Sequence, residues 1–191
     1  MEFKKLSFYK VFIFLSLVIL LFFYFWGVYL LGPSNIVDFM GVGNAYLILF
    51  VLAVTVGVSS FTAASFYSIL LTFALGGANI FVLLFLSALG LTLGDLIFYY
   101  LGYKGRNVAE DTKVENKISR FSNWVDNQNY VFVNFLIFIY FSISPFPKDV
   151  AALALGFISF RLFNFIIIAF FGNMIFCSIV LFFGFFSFSF I

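Results

Sequence analysis

Long apolar runs, separated by short polar or glycine-rich breaks, make up most of the chain. The first run covers residues 11–31 and would measure about 31 Å as a helix at about 1.5 Å per residue. That length matches the hydrocarbon core of a bilayer, about 30 Å, and exceeds the apolar core of a signal peptide, about 7–15 residues. The run predicts a retained N-terminal transmembrane anchor within residues 1–32, and the turn-forming residues after it predict an external loop at 33–45.

The second apolar run is too long to be one helix. Residues 40–94 contain no charged side chain, and as a single helix they would extend about 82 Å. Small and hydroxyl residues collect at 57–65 and again at 76–79, which indicates two turns. The arms between the turns, 46–58 and 66–75, would be about 20 Å and about 15 Å long, so they predict a re-entrant hairpin rather than two full spans.

A transmembrane helix is predicted after this hairpin. It covers residues 80–103 and carries Asp95 in its second half. Gly102 and the charged residues that follow are expected to end the helix.

The second half of the chain repeats this order. Apolar sequence resumes at Tyr130 and is interrupted by Pro145 and Pro147, which cannot lie inside an unbroken helix. The next arm, 150–159, is again too short to span, and a final long helix is predicted over 162–187. A hairpin followed by a long helix therefore occurs twice.

The segment 104–129 is the most polar part of the chain. Within it, four apolar residues recur at spacings of four, three and four, which places them on one face of a helix lying on the membrane surface. These residues are Val114, Ile118, Phe121 and Val125. A solvated linker with an apolar underside is favoured over a partner-binding helix at 112–125.

Basic residues predict the sidedness of the chain. Lys4, Lys5 and Lys10 place the N-terminus in the cytoplasm, and the sequence has no Lys or Arg at 32–45, which one crossing takes outside. The first hairpin then returns outside, the helix after it crosses inward, and the second hairpin enters from the cytoplasm. Every basic residue except Lys148 is cytoplasmic in this topology. Hairpins that enter from opposite faces relate the halves by inverted topology, as in transporters whose broken helices meet near the midplane.

The predicted fold class is an all-α polytopic membrane protein, in which an anchor helix precedes an inverted repeat of re-entrant hairpin plus transmembrane helix. The repeats cover 46–103 and 130–191, joined by a cytoplasmic amphipathic loop at 104–129. Local residue correspondences agree with the repeat. A shift of 80 positions aligns Leu75-Gly76 with Leu155-Gly156, and a shift of 78 aligns Gly94-Asp95 with Gly172-Asn173.

Composition and charge exclude several classes of protein. Hydrophobic residues make up 64% of the chain and charged residues 9%, against about 45–50% and about 25% in soluble domains. The net charge of +2, with its basic residues beside apolar spans, does not indicate a nucleic-acid partner. Histidine is absent and Cys177 is the single cysteine, interpreted as a core residue. An intramolecular disulfide, a Cys/His zinc cluster and a histidine general base are excluded, so we expect no enzyme activity and no cofactor.

Charged side chains at membrane depth are the main candidates for function, because inserting one costs about 2.5–3.5 kcal/mol. Asp95 qualifies, as do the adjacent Lys148 and Asp149 at the proline break. The structural alternative for Asp95 is a carboxylate bonded to hydroxyl groups of the first hairpin tip, namely Ser59, Ser60 or Thr62. For Lys148 and Asp149 the alternative is a mutually neutralised pair at the interface.

The free N–H groups and positive dipole end at the proline break could instead act with Lys148 to hold an anionic headgroup or phosphate. The pair Gly90 and Gly94, a G-x-x-x-G pattern, is interpreted as a close helix contact. The many phenylalanines are interpreted as lipid-facing bulk.

Two sequence elements resemble the DedA superfamily, also called the VTT or SNARE-associated domain family. The first runs from Gly90 through Gly94-Asp95 and Tyr99 to Gly105-Arg106, and the second is Ser144-Pro145-Phe146-Pro147-Lys148-Asp149 followed by Gly156. The resemblance covers about residues 45–188. It implies two facing re-entrant hairpins and a role in moving lipids across the bilayer, such as phospholipids or polyprenyl phosphates.

The chain departs from the bacterial pattern of this family, because its first hairpin has neither the proline nor the glutamate expected there. In the second hairpin, where bacterial members commonly have arginines, the basic residue of this chain is Lys148. Passive scrambling and a changed substrate both remain open in place of proton coupling.

The resulting hypothesis is a DedA-type flippase or scramblase-like lipid transporter in the plasma or inner membrane. Its partners are membrane lipids, with anionic headgroups among them, and self-association is a further option. Two alternatives are a proton-coupled exporter of small cations and a noncatalytic membrane scaffold. The expected substrate path comprises Asp95, Lys148, Asp149, Pro145, Pro147, Ser142, Ser144 and Asn173.

The topology yields the first test. In a Cys177→Ser background, a cysteine placed at Val125 should react with a membrane-impermeant maleimide only from the cytoplasmic side, and a cysteine near the C-terminus only from outside. Labelling of position 125 from outside alone would refute the inverted topology.

Overall fold

A computed structural model describes residues 30–58, 62–109, 127–144 and 147–188, together with residues 19, 26, 27 and 125. Within these residues the protein is helical throughout, with seven helices and no strand. The helices are α1 (Pro33–Met40), α2 (Val42–Val58), α3 (Ala63–Leu75), α4 (Ile80–Ala109), α5 (Tyr130–Ile143), α6 (Lys148–Phe157) and α7 (Leu162–Phe188). Most of the predicted anchor 1–32, most of the surface helix 112–125, and Ser59, Ser60 and Pro145 lie outside the described residues.

Two of these helices are long and apolar enough to cross a membrane by themselves. They are α4, over Ile80–Arg106, and α7, over Leu162–Ser187. The pair α1 and α2 forms a third candidate span, bent by 98° at its break. Helices α3, α5 and α6 have 13, 14 and 10 residues, so each is shorter than the hydrocarbon core.

The segment 33–45, predicted as an external loop, is instead largely helical. Pro33 occupies the first turn of α1, where its missing N–H has no helical role, and Gly32 before it has a φ of 76°. The helix stops at Gly41, whose φ of 80° suits glycine, and α2 begins at the next residue. Val37 is fully buried against Gly76, so tertiary packing holds α1 in place.

Helix α4 continues to Ala109 instead of ending at Gly102. A Cβ at position 102 would collide with the backbone carbonyl of Leu153 on α6. Gly102 is therefore a contact point between two helices, and glycine at such a contact does not terminate the helix. Gly105 continues the same contact against the ring of Phe157.

The helices of the two halves interlock. Helix α4 packs mainly against α2 of its own half and α6 of the other half. Helix α7 packs against α5 of its own half, α3 of the other half, and α4. In each half the first short helix thus contacts its own long helix, and the second short helix contacts the long helix of the other half.

Small residues let these helices approach closely. A Cβ at Gly57 would lie 2.7 Å from the Cα of Gly94, and one at Gly90 would lie 2.5 Å from the Cβ of Ala53. The G-x-x-x-G pattern is therefore confirmed as a packing feature, between α4 and α2. On α7, a Cβ at Gly172 would lie 2.6 Å from the Cβ of Phe141 on α5.

Two apolar clusters fill the interior. One lies around Phe66, Leu83 and Cys177, which confirms Cys177 as a core residue. The other lies around Phe141 and Phe165, which meet edge to face. Other phenylalanines are exposed, including Phe81 and Phe163, as is favourable for surface that faces lipid.

The close contact between α2 and α4 yields the second prediction. Gly94→Ala should destabilise the purified protein by about 1–3 kcal/mol, because the added methyl meets backbone that cannot rotate away. Thermal unfolding in detergent measures the loss.

Gly43→Ala is the matched control, since a Cβ there meets nothing within 4 Å and alanine favours the helix. Equal melting temperatures for the two variants would contradict the packing role of Gly94.

Candidate functional site

The two breaks between short helices face a common cavity of about 150 Å³. Gly57 and Ala63 border it from the break between α2 and α3, and Ser144 and Pro147 from the break between α5 and α6. The two long helices supply part of the remaining wall, including Asp95 from α4, and the short helices supply the rest. The complete lining is Val56, Gly57, Ala63, Tyr67, Leu91, Asp95, Ser144, Pro147, Lys148, Asp149, Asn173 and Phe176.

Asp95 is buried near the middle of α4, with 2% of its surface exposed. This burial shields the carboxylate from lipid. Its Oδ2 accepts a hydrogen bond of 2.8 Å from the Nδ2 of Asn173, which lies near the middle of α7. Asp95 follows Gly94, so the close approach of α2 seals this part of α4 from the lipid.

Asn173 links a carboxylate to an ammonium group. Its Nδ2 donates to Asp95, and its Oδ1 accepts a 2.8 Å hydrogen bond from the Nζ of Lys148. In the reverse orientation the amide oxygen would lie against the carboxylate and the amide N–H against the ammonium. Both contacts would be repulsive, so electrostatics fixes the orientation of the Asn173 amide. The same Nδ2 lies 3.4 Å from the Oγ1 of Thr92, whose hydroxyl donates to the carbonyl of Ala88.

Lys148 is the first residue of α6, directly after Pro147. Its ammonium lies 4.1 Å from the centre of the Phe176 ring, a favourable cation–π distance. Lys148 therefore points into the protein, where it contacts Asn173 and Phe176. The neighbouring Asp149 lines the same cavity.

The other predicted path residues occupy different positions. Ser144 and Pro147 line the cavity, and the carbonyl of Pro147 accepts a hydrogen bond from the Tyr140 hydroxyl at 3.3 Å. Ser142 is buried outside the lining, with no hydrogen-bond partner for its Oγ among the described residues. Pro145 lies outside the described residues.

Comparison with known families bears on this region. The model of the VTT domain matches residues 64–186, well over half of the chain. The chain belongs to the VTT domain family. This is the DedA or SNARE-associated domain, and the resemblance carried by the sequence is confirmed. No curated protein and no solved structure matches the chain.

The VTT match contains Asp95, Lys148 and Asn173, whereas α1 and α2 precede it. Together with the two apolar spans, family membership makes this a membrane protein. Among the described residues of the domain, no three acidic or thiol side chains cluster as a metal site would require.

Sequence reasoning missed Tyr67, Thr92 and Phe176 as parts of the site. Tyr67 and Phe176 belong to the 10 tyrosines and 34 phenylalanines of the chain, and composition cannot separate them from lipid-facing residues. Thr92 could have been found, because it lies three residues before Asp95 and shares its helix face.

The hydrogen-bonded chain through Asn173 yields the third prediction. Asn173→Leu should lower the stability of the folded protein by about 1–3 kcal/mol, because Asp95 and Lys148 would both lose a buried partner. Asp95→Asn should retain the fold, since its side-chain oxygen can still accept from Asn173.

Thermal unfolding of both variants in detergent measures the difference. Asn44→Leu is the control, because that exposed amide at the start of α2 donates locally, to the carbonyl of Met40 at the end of α1. A stability of Asn173→Leu equal to that of the control would disprove the bridging role.

Proposed function

We propose that this protein moves lipids across the bilayer, and that the cavity between the helix breaks contacts the phosphate of the lipid headgroup. The proposal rests on one observation: a cavity near the middle of two transmembrane helices is lined in part by the polar side chains of Asp95, Asn173 and Lys148. Polar groups at that depth are costly. Polar contacts at this depth lower the free-energy cost of moving a lipid headgroup across the hydrocarbon core.

The proposal includes two re-entrant hairpins, α2 with α3 and α5 with α6, which enter from opposite faces. Three observations support this arrangement. Helices α3, α5 and α6 are too short to span separately, both breaks border one cavity, and the contacts of α4 and α7 are interchanged between the halves. Asp95 and Asn173, aligned by the shift of 78 positions, hydrogen-bond to each other, as expected for residues beside a pseudo-twofold axis.

Lys148 is the proposed contact for an anionic phosphate. Its ammonium has three N–H donors, and one is used by Asn173. The cavity has a volume of about 150 Å³, enough for more than one water molecule. A phosphate group suits that volume, whereas a larger headgroup requires the breaks to separate.

The family resemblance supports the same activity, because related proteins are linked to movement of phospholipids and polyprenyl phosphates. The expected location is the plasma or inner membrane with a cytoplasmic N-terminus. A proton-coupled cation exporter is the second candidate, favoured by the burial of Asp95 within the cavity.

The fourth prediction tests the function directly. In proteoliposomes with a fluorescent anionic phospholipid, the purified protein should speed the exchange of that lipid between leaflets. Lys148→Glu should abolish the acceleration by repelling the phosphate, and Lys148→Arg should retain part of it because the charge remains. Asp95→Asn should impair it while preserving folded protein.

Lys104→Glu is the control, because it makes the same charge change outside the cavity. Full activity in Lys148→Glu would eliminate headgroup binding by Lys148. Recovery in the swapped pair Lys148→Asp with Asp149→Lys would favour a structural ion pair. Proton flux without lipid movement would favour the exporter.

A further inference from the structure

A second polar cavity lies at the end of the helix bundle where α4 ends, α5 begins and α6 turns into α7. It has a volume of about 280 Å³. Gln128, Tyr130, Ser159 and Arg161 provide its polar lining. Arg106 marks this end of α4, 11 residues beyond Asp95, which is about 16 Å along the helix axis. The cavity is therefore separate from the one that contains Lys148.

One arginine lines this second cavity, and another contacts a residue of its wall. The guanidinium of Arg161 lies 4.9 Å from the centre of the Tyr130 ring, and a contact with a ring face uses none of its N–H donors. Arg106 reaches across from α4 and donates a 2.8 Å hydrogen bond to the Oγ of Ser159. Two guanidinium groups, Arg106 on α4 and Arg161 in the turn before α7, therefore place positive charge at or beside the cavity.

The turn that carries Ser159 and Arg161 is fixed by tertiary contacts. Ser159 has a φ of 55°, a left-handed conformation that is uncommon for residues other than glycine. The hydroxyl of Tyr99 on α4 donates to the carbonyl of Phe160, which ties the turn to that helix. Arg161 is therefore presented by a defined backbone rather than by a free loop.

An apolar cavity of about 200 Å³ adjoins the polar one. Both include Val125 and Val133 in their walls. From Val133 the apolar cavity follows α5 as far as Phe141, about 12 Å along the helix. Ala151 and Ala154 of α6 form part of the opposite wall and leave space between the two helices.

We propose that the two adjoining cavities bind one anionic membrane lipid. The phosphate of the headgroup contacts Arg161 and Gln128, and an acyl chain lies between α5 and α6. A basic polar compartment joined to an elongated apolar one complements a molecule with a charged head and a hydrocarbon tail, and a lipid has that chemistry. This site is distinct from the central cavity, and its occupancy does not depend on whether the protein transports lipid.

Native mass spectrometry of the purified full chain tests the site. The protein is equilibrated in detergent with equal amounts of phosphatidylglycerol and phosphatidylcholine of the same acyl chains, and bound lipids are counted. Phosphatidylglycerol should be preferred. Arg161→Gln should weaken its binding about tenfold, since a charge-assisted hydrogen bond is lost. Arg161→Lys should retain part of the preference.

Lys104→Gln is the matched control. Like Arg161, Lys104 is basic and lies at this end of the helix bundle, but it contacts the ring of Tyr100 and does not line the cavity. Equal losses in Arg161→Gln and Lys104→Gln would overturn the proposal by showing a general charge effect, and unchanged binding in Arg161→Gln would overturn it as well. Ala154→Phe tests the tail compartment by filling it.

In Ala154→Phe the binding of long-chain phosphatidylglycerol should fall, while that of glycerol phosphate, which has no tail, should stay weak and unchanged. Retention of full long-chain affinity would refute the tail compartment. All readouts are of binding, so their failure is distinguishable from failure of lipid transport.

Discussion

The carboxylate of Asp95 constrains much of this architecture, because a charge buried within a transmembrane helix requires a polar partner inside the protein. Asn173 supplies that partner and passes the contact on to Lys148. Satisfying the carboxylate brings α4 and α7 together near their midpoints and draws the start of α6 between them. The polar chain thus determines where the long helices meet and where the second break must lie.

Glycines make that meeting sterically feasible. Gly94 and Gly172, which precede Asp95 and Asn173 directly, are each pressed against a short helix of their own half. Small residues allow backbones to approach closely in membranes, where dispersion and hydrogen bonds rather than water exclusion drive association. Each half therefore combines a polar residue that faces the centre with a glycine that admits a short helix beside it.

The central cavity and the basic cavity near Arg161 are connected through the same helices. Helix α4 carries both Asp95 and Arg106, and α6 extends from Lys148 to the turn at Ser159. The apolar cavity ends at Phe141, whose ring centre lies 6.0 Å from the Lys148 ammonium. A lipid seated in the basic and apolar cavities would therefore place its tail close to the proposed transport site.

The sequence by itself determined the membrane class, the family and the two long apolar helices, because these follow from local quantities such as apolar run length, charge and motif. It also predicted Asp95, Lys148 and Asn173 as path residues, since polar residues in apolar surroundings are few, and the structure brings the three side chains together. Tertiary contacts alone decided that 33–45 is largely helical and that α4 passes through Gly102, because Val37 and Leu153 stabilise those segments from distant elements. Tertiary contacts also bring Asn173 between the carboxylate of Asp95 and the ammonium of Lys148. These two residues lie 78 and 25 positions away from Asn173 in the chain. Spacing along the chain cannot specify such a distance, because it is fixed only when the helices pack.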